Sequence, residues 1–74
     1  MVKPTLISNN IRTLRFMADE MTQADLAEQV GLTRQTIIAI EQGRYSPSLE
    51  AAFKIAIALN VGLEEVFEYK APAK

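Results

Sequence analysis

The chain of 74 residues is long enough for one small domain, whose core at this size supplies roughly 3–5 kcal/mol, so pairing with a second copy is expected. It contains no cysteine and no histidine, which excludes disulfides, thiolate metal sites and the commonest general base. A net charge of −1 argues against indiscriminate adhesion to nucleic acid.

Charge is nevertheless unevenly distributed. Arg12, Arg15, Arg34 and Arg44 precede the acidic group Glu64, Glu65 and Glu68, which leaves room for one basic face. The opening MVKPTLISNN lacks the apolar core and small-residue cleavage site of a signal peptide. No apolar run approaches the ~20 residues of a membrane span. A cytoplasmic protein without a membrane partner is expected. Apolar residues make up 49% and aromatics 7%, a balance rich in Ala, Ile and Leu that suits short helices.

Five helices are predicted, over residues 9–19, 22–30, 33–42, 48–59 and 63–67. Either Asn9 or Asn10 caps the first, with Ile11, Leu14, Ala18 and Met21 inward. Thr22 caps the second in a capping box with Asp25, its apolar stripe is Leu26, Ala27 and Val30, and Gly31 makes a left-handed exit. Thr33 caps the third, which turns Thr36, Ile37 and Ile40 inward and ends at Gly43. Ser48 caps the fourth, with Leu49, Ala52, Phe53, Ala56 and Leu59 on one buried face. Gly62 opens the fifth, and Glu64 and Glu65 suit its positive end without invoking a metal. Thr5-Leu6-Ile7 and Phe67–Lys70 either pair as a two-stranded ribbon or fray.

The second and third helices, joined at Gly31, form a helix-turn-helix pattern. At about 100° per residue, Arg34, Gln35, Ile38, Ala39 and Gln42 fan out on the face opposite the core. Arg34 can grip guanine O6 and N7, and Gln35 adenine N6 and N7. Ile38 either meets a thymine methyl or idles on the surface, and Ala39 lets the backbone approach. Thr22 and Gln23, at a helix N-terminus, suit phosphate, as do Gln42, Arg44, Ser46 and Tyr45, the last either stacking near phosphate or covering its loop. Apolar residues Ile57, Leu63, Val66, Phe67 and Tyr69 exceed what one small core absorbs, so some are expected at a dimer interface.

The run TQADLAEQVGLTRQTIIAIEQGRYSPSLEAAFKIAIALNVGLEEVF resembles the Cro/cI-type (XRE) helix-turn-helix family of prokaryotic and phage regulators. The likeness covers about residues 9–67. It implies an all-α, five-helix lambda-repressor-like fold. It also implies a homodimeric, sequence-specific repressor on a two-fold symmetric double-stranded DNA operator, with the last helix and C-terminal segment as the dimer interface. Thr33, Arg34, Gln35 and Ala39 match positions that approach bases, Gln23 a phosphate ligand, and Gly43 and Arg44 a backbone-clamping turn. Glu41 matches an acid that pairs with an arginine of the first helix, here Arg12 or Arg15. FMADEM, between Arg15 and Thr22, is one residue longer than the family's usual connection.

No metal, cofactor or small-molecule effector is expected, and an enzyme is not, since nothing sets a base beside a nucleophile. The alternative function is a protein-interaction module such as the antitoxin of a toxin pair.

Overall fold

The computed structural model describes residues 6–70. Its order is β1 (Ile7–Asn9), α1 (Ile11–Met17), α2 (Gln23–Val30), α3 (Arg34–Glu41), α4 (Leu49–Ala58), α5 (Leu63–Val66) and β2 (Phe67–Tyr69). Local chemistry explains most of these boundaries. The Thr22 hydroxyl accepts from the Asp25 N–H at 3.0 Å and the Thr22 N–H donates back to the Asp25 carboxylate at 3.2 Å. The Thr33 and Ser48 hydroxyls accept from Thr36 and Ala51 N–H groups at 3.1 Å each. Each bond satisfies an amide that the first turn of a helix leaves without a partner.

The helix exits use left-handed backbone. Gly31 and Gly43 both sit at φ +74°, which costs glycine nothing and an L-residue about 1–2 kcal/mol. After Gly31 the Leu32 N–H returns to the Ala27 carbonyl at 3.0 Å, and after Gly43 the Arg44 N–H returns to Ala39 at 3.0 Å. Asn60 performs the same turn after α4 at φ 60°. The longer connection after α1 is absorbed by two successive left-handed residues, Asp19 at φ 62° and Glu20 at φ 55°. Met21 N–H then closes the loop on the Arg15 carbonyl at 2.9 Å.

Ile11, Leu26, Ile37, Ile40, Ile55 and Val66 are the largest fully buried side chains. α2 packs against α3 and α4, and α4 against α5. Leu14, Met21, Leu32, Leu63 and Phe67 close the core's edges. The ribbon forms as an antiparallel pair in which Ile7 faces Tyr69 and Asn9 faces Phe67. Its first strand thus lies two residues later than the expected Thr5–Ile7, and Thr5 itself lies outside the described residues. β2 stops at Tyr69, although the Lys70 N–H still donates to the Leu6 carbonyl at 2.7 Å.

Several sequence expectations need correction. α1 ends at Met17 rather than Asp19, because the left-handed pair has already turned the chain. Asn10 occupies the cap position without a side-chain cap bond; the Asn9 carbonyl oxygen accepts from Ile11 N–H at 3.1 Å instead. Phe67 belongs to β2, not to the last helix. Leu49 and Phe53 are 70% and 49% exposed rather than core. They flank the face of α4 that carries the buried Ala52, Ile55 and Ala56. Val66 is fully buried, so its side chain is a core residue and has no surface to offer a dimer interface. Thr36 is half-buried, its hydroxyl 2.9 Å from that of Thr33.

Candidate nucleic-acid interface

α3 carries its apolar and polar residues on opposite sides. Ile37 and Ile40 are buried at 0% and 2%, whereas Arg34, Gln35 and Gln42 are exposed and Ile38 and Ala39 half-exposed. The outward set is the one the helical spacing predicts. No described acidic side chain is part of it. Glu41, the one carboxylate on α3, turns inward and is neutralised there.

That neutralisation resolves which arginine the acid meets. Arg15 Nε donates to Glu41 Oε2 at 2.7 Å and Nη2 to Oε1 at 3.1 Å, a two-pronged pair with side chains 11% and 9% exposed. Arg15 Nη1 also donates to the Met21 carbonyl at 2.8 Å. Arg12 remains exposed, beside Arg34, Phe16 and Ile38 in an open cleft between α1, α2 and α3. The pair fixes the C-terminal end of α3 against α1 by charge-assisted, bidentate geometry.

Gln23 joins the same network. Its Nε2 donates to Glu41 Oε1 at 3.2 Å, which holds the amide at the start of α2 with one N–H still available to an outside acceptor. Thr22, beside it, has its hydroxyl oxygen accepting in the cap, which leaves the O–H proton free to donate outward. The Thr33 hydroxyl is likewise engaged by its own helix, accepting from Thr36 N–H. Arg44 Nε donates to Gln42 Oε1 at 2.7 Å, so the turn at Gly43 presents an oriented guanidinium. Tyr45, 53% exposed, lines a shallow groove with Gln35, Ala39 and Arg44. Ser46 is exposed on the following loop.

One contributor escaped the sequence analysis. Asn9 Nδ2 donates to the Ile40 carbonyl at 2.9 Å and to that of Glu41 at 3.5 Å. The ribbon is thereby tied to the last carbonyls of α3. Nothing in the local sequence signals this, since the partners are 31 and 32 residues away.

A model of the helix-turn-helix family matches residues 11–66. The chain belongs to the Cro/cI-type helix-turn-helix family. This helix-turn-helix domain is 56% identical to an uncharacterized HTH-type transcriptional regulator of Methanocaldococcus jannaschii over 64 residues, 86% of this chain and 96% of the relative. Among solved structures it is similar to a putative DNA-binding protein from Bacteroides fragilis, with TM-score 0.73, 29% identity, and coverage of 84% of this chain and 98% of that one. It is also similar to the restriction-modification controller protein C.AhdI from Aeromonas hydrophila, with TM-score 0.67, 34% identity, and coverage of 74% and 82% respectively. In the helix-turn-helix domain, α2 is the first motif helix and α3 the second.

Proposed function

We propose that the domain is a sequence-specific regulator of transcription that binds double-stranded DNA as a homodimer, with α3 in the major groove. On a two-fold symmetric operator that overlaps a promoter, it would act as a repressor. The observation that carries this reading is the outward face of α3, where Arg34 and Gln35 are exposed on the first turn of a capped, rigid helix. A recognition helix reaches base edges with its N-terminal residues.

The remaining contacts divide by chemistry. Arg34 and Gln35 read base edges through paired hydrogen bonds, Ile38 meets a thymine methyl, Ala39 lets the backbone come close, and Thr33 supports the approach. Gln23, held by Glu41, donates to phosphate at the N-terminus of α2 together with Thr22. Gln42, Gly43, Arg44, Tyr45 and Ser46 grip a second phosphate segment. Phosphate contacts set register without reading sequence.

Selection from random duplexes followed by anisotropy titration tests the proposal. An inverted repeat with half-sites about 34 Å apart is expected. Arg34→Ala should cost about 1–3 kcal/mol and relax preference at one base pair, whereas Arg44→Ala should weaken all duplexes alike and lower the salt slope by about 1. Recovery of no preferred sequence, or identical profiles for parent and Arg34→Ala, would refute it.

A further inference from the structure

Leu49, Phe53 and Ile57 are 70%, 49% and 75% exposed and belong neither to the core nor to the face assigned to DNA. Spaced four residues apart on α4, they advance by about 40° per step and form one continuous stripe. Side chains of this size cover on the order of 150–250 Å² each, so at these exposures the stripe presents on the order of 350 Å² of apolar surface. Patches of that extent on small proteins commonly mark interaction sites. Along the outer edge of the stripe run Glu50 and Lys54, 3.6 Å apart and largely exposed.

We infer that this stripe docks α4 of a second copy of the same chain, the two helices lying antiparallel about a two-fold axis near Phe53. The inference rests on the homodimer proposed above and names its surface. In an antiparallel pair Leu49 faces Ile57 of the second copy, and Phe53 faces its own counterpart. The same edges of both helices then meet, so Glu50 of each copy lies near Lys54 of the other. In a parallel pair opposite edges meet instead, so the Glu50–Lys54 edge of one helix would face the Ala52–Ala56 edge of the other, which is buried and offers no charge. The pattern is complementary to itself only when reversed, which is the signature of an isologous contact and selects a second copy over an unrelated partner.

The expected interface around α5 is thereby moved. Leu63 and Phe67 are packed against the core and Val66 is buried, which leaves Ile57 and the 62% exposed Tyr69 of β2 from the expected set, and of these Ile57 ends the α4 stripe. Two stripes bury on the order of 700 Å² of apolar surface, and their polar flanks raise the total towards ~1,000 Å², short of the ~1,600 Å² of a standard stable interface. Dissociation is therefore expected at roughly micromolar concentration or above.

Sedimentation equilibrium of the full chain from low micromolar to millimolar concentration tests this. The parent should show reversible monomer–dimer exchange. Phe53→Glu should weaken association about 100-fold or more. Glu50→Lys should weaken it about 5-fold, and Glu50→Lys with Lys54→Glu should restore it. Circular dichroism checks that each variant folds, and the charge variants remain decisive if Phe53→Glu does not. A parent that stays monomeric, a dimer indifferent to Phe53→Glu, or a double reversal no better than the single one overturns the proposal. Binding of Phe53→Glu to single half-site duplexes is measured alongside. A dimer that responds as stated supports the surface even if no duplex binds, in which case the DNA reading alone fails.

Discussion

Replacing Glu41 with alanine removes the acceptor of three hydrogen bonds at once, two from Arg15 and one from Gln23. Arg15 would keep a single neutral partner, the Met21 carbonyl. With its side chain 11% exposed, the guanidinium would stay largely out of water without a counter-ion. Stripping one member of such a pair costs about 3–5 kcal/mol. A chain of this length holds about 4–11 kcal/mol in total, so Glu41→Ala should lose between about a quarter and all of its stability. The paired change Arg15→Met with Glu41→Leu removes both charges together. It leaves only the Met21 carbonyl and the Gln23 amide to find new partners, for a cost of about 1–2 kcal/mol. Urea unfolding followed by helical circular dichroism and linear extrapolation measures all four proteins of the cycle. A loss below about 1 kcal/mol for Glu41→Ala, or a double variant as damaged as the single one, would refute a buried, mutually dependent pair.

Three further outcomes are expected. Asp19→Gly or Glu20→Gly should raise stability by about 0.5–1 kcal/mol, because each residue is left-handed and glycine adopts that backbone without strain; thermal melts read the gain. Thr33→Ala should lose about 1 kcal/mol by uncapping α3, and amide exchange should show the first turn of α3 opening before the rest of the fold. Ile55→Ala, at a fully buried position, should cost about 2–5 kcal/mol, whereas Ile57→Ala, two residues on and 75% exposed, should change monomer stability by less than about 0.5 kcal/mol.

The legible parts of the fold are those whose cause is local. Thr22 with Asp25, Thr33 and Ser48 announce helix starts because each side chain reaches an amide two or three residues away. Gly31 and Gly43 announce exits because only a residue without Cβ turns left-handed at no cost. Asn60, Asp19 and Glu20 make the same turn without glycine, and so gave no comparable signal. Helical spacing separated Ile37 and Ile40 from Arg34 and Gln35 on α3 because that helix has one wet side.

α4 shows where spacing stops being informative. Leu49, Ala52, Phe53 and Ala56 share an apolar arc too wide for periodicity to divide. The arrival of α2 and α5 on one side buries Ala52 and Ala56 and leaves Leu49 and Phe53 in water. Val66 looks surplus in the sequence for the opposite reason: the short α5 tucks it beneath the fold.

From residue order alone follow the five helices, the caps of α2, α3 and α4 and the polar face of α3, since these depend on contacts within a turn or on a repeat of 3.6. Tertiary structure decided which arginine meets Glu41, that Asn9 holds the end of α3, and which apolar edge of α4 stays uncovered. Those outcomes depend on side chains brought together across tens of residues, and no local periodicity encodes the direction from which a distant neighbour arrives.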